Sequence, residues 1–243
     1  MVDRDPPTPR DVLSRGALLL DFDGTLVDIA AEPSLITVPM GLRASLDTLS
    51  RRLGGALALV SGRSVADIDG FLAPLRLPIA GEHGAAMRVP PDMTISRPAL
   101  PTLPEAWRLA AERWAATTPG VLVEEKHSGL VLHYRRAPDA AEPLRAALAE
   151  LIAASPEFEI MEASAAWELR PRGIDKGGAV RALMREPDFE GRRPFFIGDD
   201  VTDEDGMAAA FALGGVGMRV QDVFGNAAGV RAWLAALAGA EEA

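Results

Sequence analysis

The sequence predicts an α/β fold: a doubly wound, Rossmann-like parallel-sheet core carrying an inserted α+β module. Three observations lead there. From Gly16 to Ala86 short unbroken apolar runs alternate with segments of helical period, the pattern of parallel strands covered on both faces. The rhythm changes after Met87, where helix, hairpin, helix and two further strands follow, the order of a small antiparallel sheet with helices on one face. After Pro171 the first rhythm returns. The expected organisation is a tail over 1–14, a core built from 15–86 and 171–243, and an insert over 87–170.

The elements follow in chain order. "MVDRDPPTPRD" has acids and prolines where a signal peptide needs a basic start and an apolar centre, so it reads as a loose tail. Ala17–Leu20 is a strand, and "GLRASLDTLSRRL" places Leu42, Leu46 and Leu49 on one helix face. "ALALV" is a strand, "SVADIDGFLA" a helix, and "LPIAGEHGA" a strand and turn. In the insert, "EAWRLAAERWAATT" is a helix stopped by Pro119 and Gly120, and "GVLVEEKHSGLVLHYRR" is a hairpin turning near His127. "AAEPLRAALAELIAA" is a helix, with strands at "FEIMEA" and "AWELRP". The core resumes with helix "DKGGAVRALMRE", strand "RPFFIGDD", helix "TDEDGMAAAFAL", strand "GGVGMRV" and helix "NAAGVRAWLAALAG".

Composition narrows the chemistry. With 35 acidic against 25 basic residues the net charge is -10, which disfavours nucleic acid and anionic membranes as partners. The absence of cysteine excludes disulfides, thiolate zinc sites and a cysteine nucleophile. No apolar run approaches the roughly 20 residues that span a bilayer. A cytoplasmic monomer acting on a small molecule is expected.

In open parallel sheets ligands bind beyond the carboxyl ends of the strands. Asp21-Phe22-Asp23-Gly24-Thr25 follows the first strand, Ser61-Gly62-Arg63 the second, and Gly198-Asp199-Asp200-Val201-Thr202-Asp203 the strand "FFI", while Lys176 opens a helix. Singly, each has a plain structural reading: an acidic turn, a helix cap, a solvated lysine, an acidic first helical turn. Together they place carboxylates, a hydroxyl and an ammonium group along one edge, which suits phosphoryl transfer with a hard cation.

These stretches, "DFDGTL", "SGR", Lys176 in "GIDKG" and "GDDVTDE", resemble the four motifs of the haloacid dehalogenase superfamily. "LVSGRS", "GEHGA", "ELRPRGIDKG" and "GDDVTDED" together resemble the trehalose-6-phosphate phosphatase family over nearly the whole chain. The resemblance implies Asp21 as nucleophile, Asp23 as general acid and base, and Ser61 and Lys176 as phosphate ligands. It implies magnesium held by Asp21, the carbonyl of Asp23, and Asp199, with Asp200 and Asp203 positioning waters and Lys176. The insert would be a cap that closes over the active site.

Sugar recognition would fall to Arg63, His83, Glu124, Lys126, Arg135 and Glu168. On a strand Glu124 and Lys126 point the same way, and the alternative is an exposed cross-strand salt-bridge ladder. The family often has a lysine where this chain has Ser164, which removes one expected contact. Trp107, Trp114, Trp167 and Trp233 read as core, with Trp167 the one candidate sugar platform. The rival functions are a phosphatase for another sugar or a glucosyl-glycerate-type phosphate, a phosphomutase, and a non-catalytic regulatory domain. A functional link to a trehalose-6-phosphate synthase is expected.

Overall fold

A computed structural model describes residues 6–30, 35–97, 99–126, 129–163 and 165–240. His127 and Ser164 lie outside them. The described chain forms a helix early, α1 (Pro9–Arg15), within the expected loose tail. The cause is local. Thr8 and Asp11 form a capping box, and Pro9 stands at the helix start, where its missing N–H is not needed.

β1 (Gly16–Leu20) is buried along its whole length, as its unbroken apolar sequence requires. It lies parallel between β2 (Leu57–Val60) and β10 (Arg193–Gly198), with Leu18 level with Leu57 on one side and Phe195 on the other. β3 (Ile79–Gly81) and β11 (Val216–Arg219) extend the parallel sheet outward. β4 (Ala86–Arg88) and β5 (Ile95–Ser96) then add an antiparallel edge, giving the seven-stranded order β11-β10-β1-β2-β3-β4-β5. The sheet is thus mixed where the sequence predicts a parallel one. β5 is two exposed residues inside a proline-rich stretch, too short to show any alternation.

Helices join the strands. α2 (Leu42–Arg52) buries Leu42, Leu46 and Leu49, and α3 (Val65–Leu72) is capped by Ser64. α6 (Lys176–Leu183) is capped by Asp175, whose carboxylate accepts from the Gly178 N–H. α7 (Glu204–Ala212), the short α8 (Val220–Val223) and α9 (Ala227–Gly239) complete this part.

The chain divides into two compact units: one runs to Arg97 and resumes at Asp175, and the other lies between them and ends at Ile174. The expected insert edges at 87 and 170 therefore move to 98 and 174, the first because β4 and β5 belong to the first sheet. The second unit has a four-stranded antiparallel sheet, β6 (Leu122–Glu125), β7 (Leu130–His133), β9 (Ala166–Pro171) and β8 (Phe158–Ala163), in that spatial order. α4 (Glu105–Thr117) and α5 (Ala141–Ile152) pack on the face that carries Leu130, Leu132, Trp167 and Leu169. Among the described residues, no helix is long and apolar enough to cross a membrane.

Candidate active site

The parallel register decides which residues meet. Leu20 is level with Ile197 and Leu59, so Asp21, Ser61 and Asp199 emerge from three adjacent strand ends. β1 is also the point where the sheet is extended first to one side and later to the other, the place where such folds bind ligands.

After Leu20 the chain folds into a tight turn. Leu26 and Val27 N–H groups both donate to the Phe22 carbonyl, and the Gly24 N–H donates to that of Val27. Gly24 adopts φ +73°, and a Cβ there would lie 2.1 Å from Asp199 Oδ2. Glycine is therefore required twice, for the left-handed backbone and for the approach of a carboxylate from another strand.

Asp21 is buried, and its Oδ1 accepts from Lys176 Nζ at 2.7 Å. Its Oδ2 accepts from the Thr25 hydroxyl at 3.2 Å. Lys176 also donates to Asp203 Oδ1 at 2.6 Å. Asp203 Oδ2 takes the backbone N–H groups of Asp199 and Asp200, at 3.1 and 3.0 Å. Asp203 thus holds both the lysine and the loop. Asp200 caps the turn instead, its Oδ1 2.6 Å from the Val201 N–H, and so does not position Lys176 as expected.

Burial pushes the Asp21 carboxyl well above the usual carboxylate range, with Lys176 opposing the shift and Asp203 adding to it. Lys176 is raised by its two carboxylate partners, which outweigh its own burial. Asp199 is pushed up to about 6, by burial first and then by Asp203 and Asp200. Oxygens of Asp21, Asp199 and Asp203 lie within 4.8 Å of one another. Three carboxylates against one ammonium leave two negative charges uncompensated, and an all-oxygen set with that deficit suits a hard divalent cation.

Asp23, closest to solvent of the first pair, is gripped by Arg63: Nε donates to Oδ2 at 2.6 Å and Nη2 to Oδ1 at 2.8 Å. Ser61 is buried and its Oγ accepts from the Arg63 N–H. The Glu82 and His83 N–H groups donate to the carbonyls of Arg63 and Ser61. Both residues adopt positive φ, 53° and 57°, and a Cβ on Gly62 would meet His83 Nε2 at 2.7 Å. The "GEHG" turn is therefore clasped to the "SGR" loop, with strain of the kind that persists where surrounding contacts enforce it.

In the second unit, register aligns Glu124 with Val131 and Val131 with Glu168 on the sheet face opposite the helices. These residues, with Lys126, His133 and Arg135, line a hollow of about 580 Å³. Lys126 Nζ donates to Glu168 Oε1 at 3.0 Å, and His133 Nε2 lies 2.8 Å from Glu124 Oε2. Trp167 faces the other way, its indole N–H donating to the Ala141 carbonyl, so it is not a sugar platform. Sequence pattern alone does not single out Thr25, nor Arg219 and Gln221, which both donate to the Asp199 carbonyl; the last two stand on a strand end and a short helix with no motif of their own.

A family model described as trehalose-phosphatase matches residues 19–225. The "Probable trehalose-phosphate phosphatase" of Sinorhizobium fredii is 44% identical over 86% of this chain and 78% of its own length. The trehalose-6-phosphate phosphatase of Escherichia coli is 35% identical over 89% of this chain and 82% of its own. The fold is shared with the C-terminal domain of trehalose-6-phosphate phosphatase from C. albicans, at TM-score 0.76 and 22% identity over 98% of this chain and all of that one. Motifs, site geometry and these likenesses agree: the chain belongs to the trehalose-phosphatase family.

Proposed function

We propose that this chain hydrolyses trehalose 6-phosphate to trehalose and phosphate, and that it depends on magnesium. The observation that carries the reading is the buried Asp21 held by Lys176 and Thr25, beside the carboxylate of Asp199. Asp21 attacks phosphorus, and the bond to the sugar oxygen breaks as Asp23 gives that oxygen a proton. Water then attacks the aspartyl-phosphate, Asp23 takes its proton, and phosphate leaves with Asp21 restored. Splitting the hydrolysis in this way replaces one difficult step with two easier ones. Ser61 and Lys176 hold phosphate oxygens, stabilising the charge that develops in each transition state.

Magnesium fits the donors: Asp21, the carbonyl of Asp23, and Asp199 would hold it. Bound there, it would offset the repulsion between an anionic nucleophile and a phosphate dianion.

The polar hollow supports sugar recognition by Glu124, Lys126, Arg135 and Glu168, since paired ionic groups can exchange each other for sugar hydroxyls. His83 lines the substrate from its place over Gly62. A synthase would supply the substrate, a functional link that needs no physical contact.

Phosphate release from a panel of sugar phosphates, with magnesium and with chelator, tests the reading. Trehalose 6-phosphate should be the preferred substrate, and chelation should stop turnover. Equal activity on glucose 6-phosphate would refute the disaccharide specificity, and full activity in chelator the metal requirement.

A further inference from the structure

Among the groups placed above, Arg63 has an observed partner that differs from its expected one. Sequence resemblance assigns it to substrate; its guanidinium instead brackets both oxygens of Asp23, at 2.6 and 2.8 Å. We propose that Arg63 is a positioning residue, which aims the carboxylate of Asp23 before substrate arrives. The inference rests on the proton-transfer role proposed for Asp23.

Asp23 needs such help. Its side chain is 37% exposed, against 15% for Arg63, and it stands on a turn rather than in a packed element. A single hydrogen bond would leave the carboxylate free to rotate about it. A planar fork contacting both oxygens removes that freedom, which a lysine's point charge would not do.

The fork is itself held. Arg63 Cζ lies 5.1 Å from the Phe71 ring centroid, and Phe71 stacks on Phe22 at 5.8 Å. Phe22 is the covalent neighbour of Asp23, so Asp23, Arg63, Phe71 and Phe22 close a ring of contacts. Arg43 anchors the Phe71 carbonyl from outside, its Nη2 donating at 2.7 Å. The main chain of Arg63 is fixed as well, by Ser61 Oγ on its N–H and by the Glu82 N–H on its carbonyl. Backbone, aromatic and carboxylate contacts thus determine the guanidinium plane, and through it the orientation of Asp23.

A displacement of about 1 Å in a reacting group lowers rate on the order of 10²-fold. Arg63→Gln should therefore lower kcat about 10- to 100-fold with KM changed by less than about threefold, and Arg63→Lys should restore only part. The decisive comparison is a double-mutant cycle with Asp23→Asn, run on whichever phosphomonoester the wild type turns over best. If Arg63 acts through Asp23, adding Arg63→Gln to Asp23→Asn should change kcat by less than about threefold. A raised KM with kcat intact, or an undiminished loss in the Asp23→Asn background, would assign Arg63 to substrate and overturn the proposal. A crystal structure of Arg63→Gln gives an arm independent of activity: Asp23 should leave its present rotamer, and a carboxylate still in place would refute the aiming role. A wild type inactive on every phosphomonoester would overturn the phosphatase reading instead, and the crystallographic arm would still decide the role of Arg63.

Discussion

The two polar clusters of this protein are built in opposite ways. In the core, Asp21, Lys176 and Asp203 come from distant segments, the bonded Asp21 and Lys176 being 155 residues apart, and meet almost dry, with side chains 5% exposed or less. In the insert, Glu124 pairs with His133 on the neighbouring strand, Lys126, just past the end of β6, reaches Glu168 on β9, and both pairs stand partly in water, Lys126 at 36% exposure. A buried ion network is costly to break and admits one arrangement. Half-solvated pairs hold each other weakly and can trade partners. On the function proposed above, the first cluster would fix the reaction and the second could be revised for a ligand.

The largest test of that contrast is Asp21→Asn. The substitution preserves shape and the Thr25 contact, so the protein should fold with an ordinary melting curve while kcat falls by on the order of 10⁴-fold or more. Substantial residual turnover would move the nucleophile elsewhere. Next, Lys176→Met leaves two buried carboxylates facing each other and should cost about 3–5 kcal/mol in urea unfolding near neutral pH. Lys126→Met should cost less than about 1 kcal/mol in the same assay. Similar losses for the two lysines would erase the distinction drawn between the clusters.

Lys126→Met and Glu168→Gln should instead act on recognition. Each is expected to raise KM for the sugar phosphate about tenfold, the worth of a hydrogen bond to a charged group. Neither should alter hydrolysis of p-nitrophenyl phosphate, which has no sugar to bind; a parallel loss there would tie the hollow to the chemistry itself.

The smallest effect concerns Asp199. Its carboxyl is raised to about 6 from an ordinary value of 3.8, so the metal-free folded protein binds that proton more tightly than the unfolded chain does. The resulting stabilisation is full below the ordinary value and is lost as pH rises through about 6. Relative to Asp199→Asn, the metal-free wild type should lose on the order of 2–4 °C in Tm between those limits. Magnesium should reverse the order of the two proteins at pH 8, because only the wild type keeps the ligand. A difference curve that is flat with pH would show that Asp199 titrates normally.

What the sequence discloses divides along the same line. Asp21, Ser61 and Asp199 are legible because they sit at the ends of apolar runs whose parallel pairing forces them together, whereas Lys176 opens a helix and is legible through its motif. The Asp203 link to Lys176 is legible only through the resemblance of its motif. β5 and the Glu82–Arg97 pair beyond it are not, since two exposed residues and a contact across 15 positions leave no periodic trace. The α1 helix was readable in principle from Thr8, Pro9 and Asp11, and the prolines around them masked it. The partner of Arg63 follows from the direction its side chain takes after Gly62, which spacing does not encode.

The level alignment of Leu20 with Ile197 and Leu59 has a metric consequence. Adjacent strands stand about 4.8 Å apart whatever their side chains, so the sheet acts as a ruler that sets how far Asp21 stands from the chain segments bearing Ser61 and Asp199. Exchange of side chains leaves that ruler untouched. A single residue inserted before Asp21 or Asp199 would offset one graduation against the next, and such a change, more than any substitution around it, is what this site has least means to absorb.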